Sequence, residues 1–326
     1  MLVTKDYLPR NPSEWHGFLR DYFCDKDALA VEFSEGISLS LEWPVGAERH
    51  VDPLLDVGLG WWGRGVGLGS MWSARWRDGR IMTSLFDTWT LLSWSEWLAR
   101  VSLESAANVV VLHVDDHRDM GSPRLLLRNE VLFDAITGAN VRLDEPASVS
   151  RAIESGAIGM GSFMTPFVRE LPHALVRHLC QGPKMHADVN RRVVVGCIKD
   201  TLLHPGADRL AIALESCSAN CEGTYFGTSN VRSWIRDIEG RPALVHIDMD
   251  YFNNRYDGDS DWRLREPRLD PDLDQMFLKV DELVGALADS KALIEDVTIA
   301  YSPGFFPAEY WQPLDHRLRA GLARIL

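Results

Sequence analysis

The sequence predicts an α/β protein built on a mostly parallel sheet sandwiched between helices. Three observations carry that prediction. Apolar, β-prone runs recur at residues 109–114, 193–198, 210–214, 243–247 and 297–301. Stretches with apolar residues at helical spacing separate them, the pattern of strand–helix–strand units. Two of the runs end in clusters of aspartate and histidine, and ligands in such folds sit beyond the carboxyl ends of the strands.

Residues 1–84 differ in character from 85–326 and read as a strand- and loop-rich region packed on a main α/β domain. Within it, residues 28–43 read as two short strands about Ser34, Glu35 and Gly36. A glycine-rich tract follows at 58–69. Gly58, Gly60 and Gly63 have G-x-G-x-x-G spacing but no strand–turn–helix context, which excludes a dinucleotide fingerprint. The tract is expected to form loops whose glycines let the backbone pass close to bulky indoles. Residues 89–103 carry Leu91, Leu92, Trp94, Leu98 and Val101 near helical spacing. Further helices are expected at 149–154, 163–179, 272–289 and 308–326, the third capped by Asp270 with Pro271 at its first position. Six of the twelve tryptophans fall between Trp61 and Trp94, a cluster that favours a local core over an aromatic binding wall.

Apolar content of 46% and charged content of 25% over 326 residues describe an ordinary soluble globule able to bury a large core. No apolar run is long enough to cross a bilayer and the opening residues lack a signal layout, so the expected compartment is cytoplasmic, away from membranes. Five cysteines without framework spacing fit a reducing environment, and Cys217 and Cys221 read as structural. The net charge of −13 argues against nucleic acid and is compatible with a cationic substrate.

The chemistry lies in two stretches. One is His113-Val114-Asp115-Asp116-His117-Arg118-Asp119, and the other His246-Ile247-Asp248-Met249-Asp250. Alternate side chains of an extended chain point the same way, so Asp115, His117 and Asp119 share a direction, as do Asp248 and Asp250. So many carboxylates at strand ends are costly to bury together unless a cation neutralises them. One Asp-x-His-x-Asp alone also fits a solvated loop; the second stretch makes a metal site the better reading. Mostly oxygen ligands with one imidazole favour a hard divalent ion, manganese rather than zinc or copper. His113 and His246 face the ligand side but lie deeper, as supports for the ligands or core histidines. Asp116 points the opposite way and reads as structural. Asp257, Asp259 and Asp261 suggest a calcium loop, but Trp262 and Arg268 stand where its glycine and closing glutamate belong. A substrate-contacting loop is the more natural reading.

Asp115-x-His117-x-Asp119 followed by Asp248-x-Asp250 resembles the arginase/deacetylase superfamily. The wording of 108–125 (NVVVLHVDDHRDMGSPRL), 155–167 (SGAIGMGSFMTPF), 244–262 (LVHIDMDYFNNRYDGDSDW) and 298–307 (TIAYSPGFFP) resembles the bacterial peptide arginases. These enzymes hydrolyse arginine side chains in ribosomally made peptides to ornithine and urea. The resemblance covers roughly residues 85 to 310. It implies a three-layer α/β/α arginase-like fold, a manganese pair and an arginine-containing precursor peptide as partner. Carried over, Asp115 and Asp248 bridge two metals, His117 and Asp250 complete one site, and Asp119 belongs to the other. The resemblance also implies a metal-activated water as nucleophile, with Asp119 relaying a proton to the departing amine.

The chain departs from that pattern in three places. No histidine stands between His50 and His113, where arginases usually offer a ligand; Asp87 is the one obvious oxygen candidate nearby, and either it fills the gap or that site is weak. Arg128-Asn129-Glu130-Val131 replaces the region of a second expected histidine. The acid that grips the guanidinium has no clear match, with Glu309, Glu215 and Asp257 as candidates. Two alternatives therefore stay open: a single-metal amidohydrolase resembling deacetylases, and a non-catalytic peptide-binding protein with a degenerate site.

Overall fold

Strand Val110–Val114 is buried along its whole length, and its residues alternate between two hydrophobic cores. Val110, Leu112 and Val114 join one core, and Val111 joins the other with its neighbour Val109. A strand apolar on both faces needs cover on both, which places it in the middle of a layered α/β structure. The computed structural model describes residues 1–34, 36–45, 50–182, 184–217, 223–264, 266 and 268–326, without the side chains of 103 and 104.

A three-stranded antiparallel sheet is formed by β1 (Leu2–Val3), β2 (Asp27–Phe33) and β3 (Gly36–Glu42), in the order β1-β3-β2. The main sheet contains β4 (Arg75–Asp78), β5 (Ile81–Ser84), β6 (Val110–Val114), β7 (Leu125–Arg128), β8 (Val131–Asp134) and β9 (Asn140–Val141). It also contains β10 (Leu175–Leu179), β11 (Val189–Lys199), β12 (Asp208–Ser216), β13 (Tyr225–Thr228), β14 (Pro242–Asp248) and β15 (Leu293–Ala300). Their spatial order is β4-β5-β15-β14-β6-β10-β13-β11-β12-β7-β8-β9. From β5 to β13 every pairing is parallel. The flanks are antiparallel, so the sheet is mixed with a parallel heart.

Helices Leu273–Ser290 and Trp311–Leu322 cover one face through Met276, Val280, Leu283, Leu314 and Leu318. Thr90–Leu98, Pro146–Ser155 and Met164–Glu170 cover the other through Trp94, Val149 and Phe167. Among the described residues, no helix is long and apolar enough to cross a membrane.

Several expectations are corrected. The stretch 163–179 is not one helix: Met164–Glu170 stops ahead of Pro172, and β10 then enters the sheet between β6 and β13. Proline disfavours helix in the residue before it, and pairing on both sides of β10 decides the rest. Residues 193–198 and 210–214 belong to an antiparallel hairpin, β11 and β12, not to parallel strands. The connection at 200–207, turning at Gly206, is too short for a crossover. Residues 75–84, grouped by sequence with the amino-terminal region, pair into the main sheet as β4 and β5. The helix expected at 89–103 ends at Leu98, and a separate short one spans Leu103–Ala106. The cap of the long helix is Asp272, in a capping box with Gln275, while Asp270 accepts from Asn253 and Arg255. The final helix is Trp311–Leu322, preceded by a single turn, Ala308–Tyr310.

The glycine-rich tract opens as helix Leu55–Trp62 rather than as loop. Gly58 nonetheless serves the expected purpose: a Cβ there would lie 2.6 Å from the Trp311 ring. Trp89 and Trp94 are core residues, 1% and 0% exposed, whereas Trp72 is half-buried and stacks on Trp43. Cys217 is half-buried, and Cys221 lies outside the described residues. Gly58→Ala should overpack this contact and cost about 1–3 kcal/mol. Gly60→Ala, which meets nothing within 4 Å, should be neutral or stabilising in the same urea unfolding measurement.

Candidate metal centre

The register of the parallel strands builds the site. His246 of β14 stands opposite His113 of β6, which stands opposite His178 of β10. Two residues further along, Asp248 and Asp115 therefore leave adjacent strands side by side. Asp87 follows the end of β5 and Ser302 the end of β15. The five carboxylates Asp87, Asp115, Asp119, Asp248 and Asp250 are each at most 5% exposed. They converge on the floor of a cleft of about 890 Å³ together with His117, though Asp115 itself lies beneath the lining. That size suits a small molecule or a peptide side chain with its neighbours.

His117 is held from both sides. Its Nδ1 lies 2.9 Å from Asp250 Oδ2 and 3.5 Å from Asp115 Oδ1. Its Nε2 lies 3.0 Å from Asp257 Oδ1, which also accepts from Lys184 and Asn254. A carboxylate behind an imidazole fixes the tautomer and orientation that metal ligation needs. Asp257 is thus engaged with His117. Of the other two guanidinium-gripping candidates, Glu309 is paired with Arg255 at 2.5 Å and Glu215 with Arg192 at 2.7 Å.

The acids are oriented by backbone and hydroxyl donors. Asp115 Oδ1 accepts from the His117 amide at 2.5 Å, and Asp250 Oδ1 from the Asp116 amide at 3.2 Å. Asp248 accepts from the Asp250 amide at 3.0 Å and the Ser302 hydroxyl at 2.5 Å. Asp119 and Ser302 both have left-handed φ, 53° and 43°, strain of a kind concentrated at functional sites. Asp116 is tied to Lys184 at 2.7 Å and Asn254 at 2.8 Å.

Two buried oxygens, Asp115 Oδ2 and Asp119 Oδ2, have no hydrogen-bond partner among the described residues. An orphaned buried carboxylate oxygen calls for a cation or a proton. Three compact ligand sets exist among the described residues: Asp115 with His117 and Asp250; His113 with Asp115, Asp119 and His246; and Asp116 with His117 and Asp257. These buried His and Asp groups could hold a metal ion, and their oxygen-rich make-up fits a hard divalent one. Asp248 joins none of the compact sets, although it lines the same cleft.

Charge explains the protonation of the site. Burial first, then the neighbouring Asp250 and Asp248, push the Asp115 carboxyl well above its ordinary range. Burial and Asp115 do the same to Asp119, and burial with Asp250 and Asp87 to Asp248. Asp87 is raised by burial and then by Asp119 and Asp25. Asp87 therefore sits within electrostatic reach of both Asp119 and Asp248. Burial lowers the basicity of His117, but Asp250 and its carboxylate hydrogen bonds outweigh it and hold the imidazole well above its usual pKa.

Beneath the acids runs a row of three neutral histidines. Burial and mutual repulsion hold His113 well below its ordinary pKa. Burial is also the main cause of lowering for His178, to about 4, and His246, to about 3. His113 Nδ1 meets His246 Nδ1 at 2.9 Å, and its Nε2 meets the His117 carbonyl at 3.0 Å. His178 bonds the Tyr225 hydroxyl at 2.7 Å and the Asp115 carbonyl at 2.9 Å. His113 bonds the loop that carries His117 and His246 bonds His113, and both also belong to one of the compact His/Asp sets; His178 lies in the stretch whose apolar spacing predicts a helix. Asp25 was missed too: it lines the cleft from beyond helix Trp15–Phe23 and accepts from the Met160 amide at 2.8 Å. Nothing in its local sequence marks it.

No protein-family model matches the chain, and no curated relative matches it.

A carboxyl raised in the folded state contributes fully below the unfolded carboxyl pKa, and that contribution is lost as pH rises through the folded value. In metal-free protein, Asp119→Asn should therefore raise stability at pH 8 by about 1–3 kcal/mol. The gain should vanish towards pH 4, as followed by urea unfolding at both pH values with chelator present. Asp87→Asn should lower the amount of divalent ion retained per chain, read from metal stoichiometry after dialysis against manganese.

Proposed function

We propose that this chain is a manganese-dependent hydrolase that converts arginine side chains in a ribosomally made peptide to ornithine with release of urea. We assign it to the arginase type, with a three-layer α/β/α main domain. The observation that carries the reading is the convergence of five buried carboxylates and His117 at the ends of parallel strands, under an open cleft.

In this reading His117 and Asp250 would hold one ion and Asp119, with Asp87 near it, the other, while Asp115 and Asp248 would contribute to both. A bound pair supplies Lewis acidity and a water whose pKa is lowered towards neutrality. The chain's own residues do the remaining work. Asp257 keeps the His117 ring turned to its ligand position. Ser302 and the Asp250 amide hold Asp248 in place before substrate enters. Buried, unpartnered Asp119 Oδ2 moves the proton to the departing amine as the C–N bond breaks. The acidic cleft attracts a cationic guanidinium, and the surplus of negative charge over the whole chain, −13, acts in the same sense.

A second reading, a single-metal amidohydrolase resembling deacetylases, rests on one observation. Asp115, His117 and Asp250 are a compact ligand set at the cleft, and Asp248 stands outside it.

Manganese-loaded protein incubated with N-acetyl-arginine methylamide and with arginine-containing peptides should release urea in a colorimetric assay. Asp115→Asn and Asp248→Asn should each bring that release to background. One zinc per chain with turnover of acetyl-lysine peptides, and no urea, would transfer the assignment to the second reading.

A further inference from the structure

A second recess of about 130 Å³ opens beside the metal cleft. Its wall includes Trp43, Trp72, Phe86, Phe305, Leu68 and Met71. The four aromatic side chains are half-buried, unlike the fully enclosed Trp89 and Trp94 of the core. Apolar rings left partly open around a concavity mark a binding site rather than a packed interior.

The recess and the metal centre share a wall. Phe305 belongs to both, and its ring meets His117 edge-on at 5.4 Å. The turn that carries it is pinned at one end by Ser302, whose hydroxyl bonds Asp248. It is pinned at the other by Gly258, whose amide donates to Gly304. Gly258, at φ +65°, also leaves room for the ring, since a Cβ there would lie 2.8 Å from Phe305. Asp25 and Met160 stand at the junction of the two spaces. On the far wall Trp43 and Trp72 stack at 4.6 Å, which makes a rigid apolar plate.

We propose that the recess is a subsite for an aromatic side chain of the residue next in sequence to the one that reacts at the metal centre. This rests on the reading that a peptide enters the cleft. Size selects the occupant: an apolar cavity of about 150 Å³ holds benzene, so a space of this scale takes one ring. Continuity with the cleft selects its source, because a peptide reaching the metal centre brings its neighbouring side chain to this opening. Among the described residues, Arg20, Asp25 and His50 are the charged or titratable lining, and the remaining wall is apolar, which suits a ring rather than a charged side chain.

The test has a direct arm and a kinetic arm. 4-Fluorotoluene, followed by fluorine NMR on the manganese-loaded full chain, should bind saturably. Leu68→Trp, which fills the recess, should abolish that binding, and Trp72→Ala should weaken it. In the kinetic arm, acetyl-Phe-Arg-amide or acetyl-Arg-Phe-amide should exceed its glycine counterpart by about tenfold or more in kcat/KM for urea release. Leu68→Trp should erase the preference while glycine peptides react as before. No saturable binding to the wild-type chain, or binding untouched by Leu68→Trp, overturns the subsite. Binding with the expected variant response but no urea from any peptide upholds the apolar recess and overturns the reaction assigned to the metal centre.

Discussion

Mutual repulsion among buried carboxylates is the constraint around which this molecule is arranged. Five acids, none more than 5% exposed, lie at the ends of adjoining strands. Such a cluster opposes folding unless protons or cations offset it. The surroundings are organised accordingly. Amides of Asp116, His117 and Asp250 and the Ser302 hydroxyl each donate to an acid, while His117 carries a compensating charge. Among the described residues, two oxygens of these five acids still find no hydrogen-bond partner.

The parallel heart of the sheet is what brings these acids together. Adjacent parallel strands deliver their carboxyl ends to the same edge, so β5, β15, β14 and β6 contribute Asp87, Ser302, Asp248 and Asp115 to one place. An antiparallel pair would send alternate ends to opposite edges. The antiparallel strands that do occur lie on the flanks, and the hairpin of β11 and β12 contributes Ile212 and Leu214 to the cleft wall instead.

The most legible parts of the sequence were those where one signal dominated. The run ending in Asp115 is apolar on both faces, so both its strand character and its central place could be read directly. The two acidic motifs were equally plain, because alternation alone aligns their side chains. The apolar residues of 163–179 fit a helix as well as a strand, and only the neighbours β6 and β13 decide, so the place of His178 is not legible from the local pattern. Asp25 and the aromatic recess depend on contacts between segments far apart in the chain, and such proximity leaves no periodic trace. Asp270 and Asp272 both precede the apolar stripe, so the sequence alone does not separate them as caps; only Asp272 finds Gln275.

The histidine row beneath the acids bears on how relatives of this chain should be judged. Its members occupy the same level of three neighbouring strands and are bonded to each other or to the ligand loops above. They act as a gauge: His113 and His178 fix the height at which the loop after β6 departs, and His246 braces His113 from the next strand. A descendant could retain every aspartate yet lose this gauge, and its acids would then leave the sheet out of step. Counting acidic motifs alone would score such a chain as intact, so the buried imidazoles belong beside the acids in any signature of this cluster.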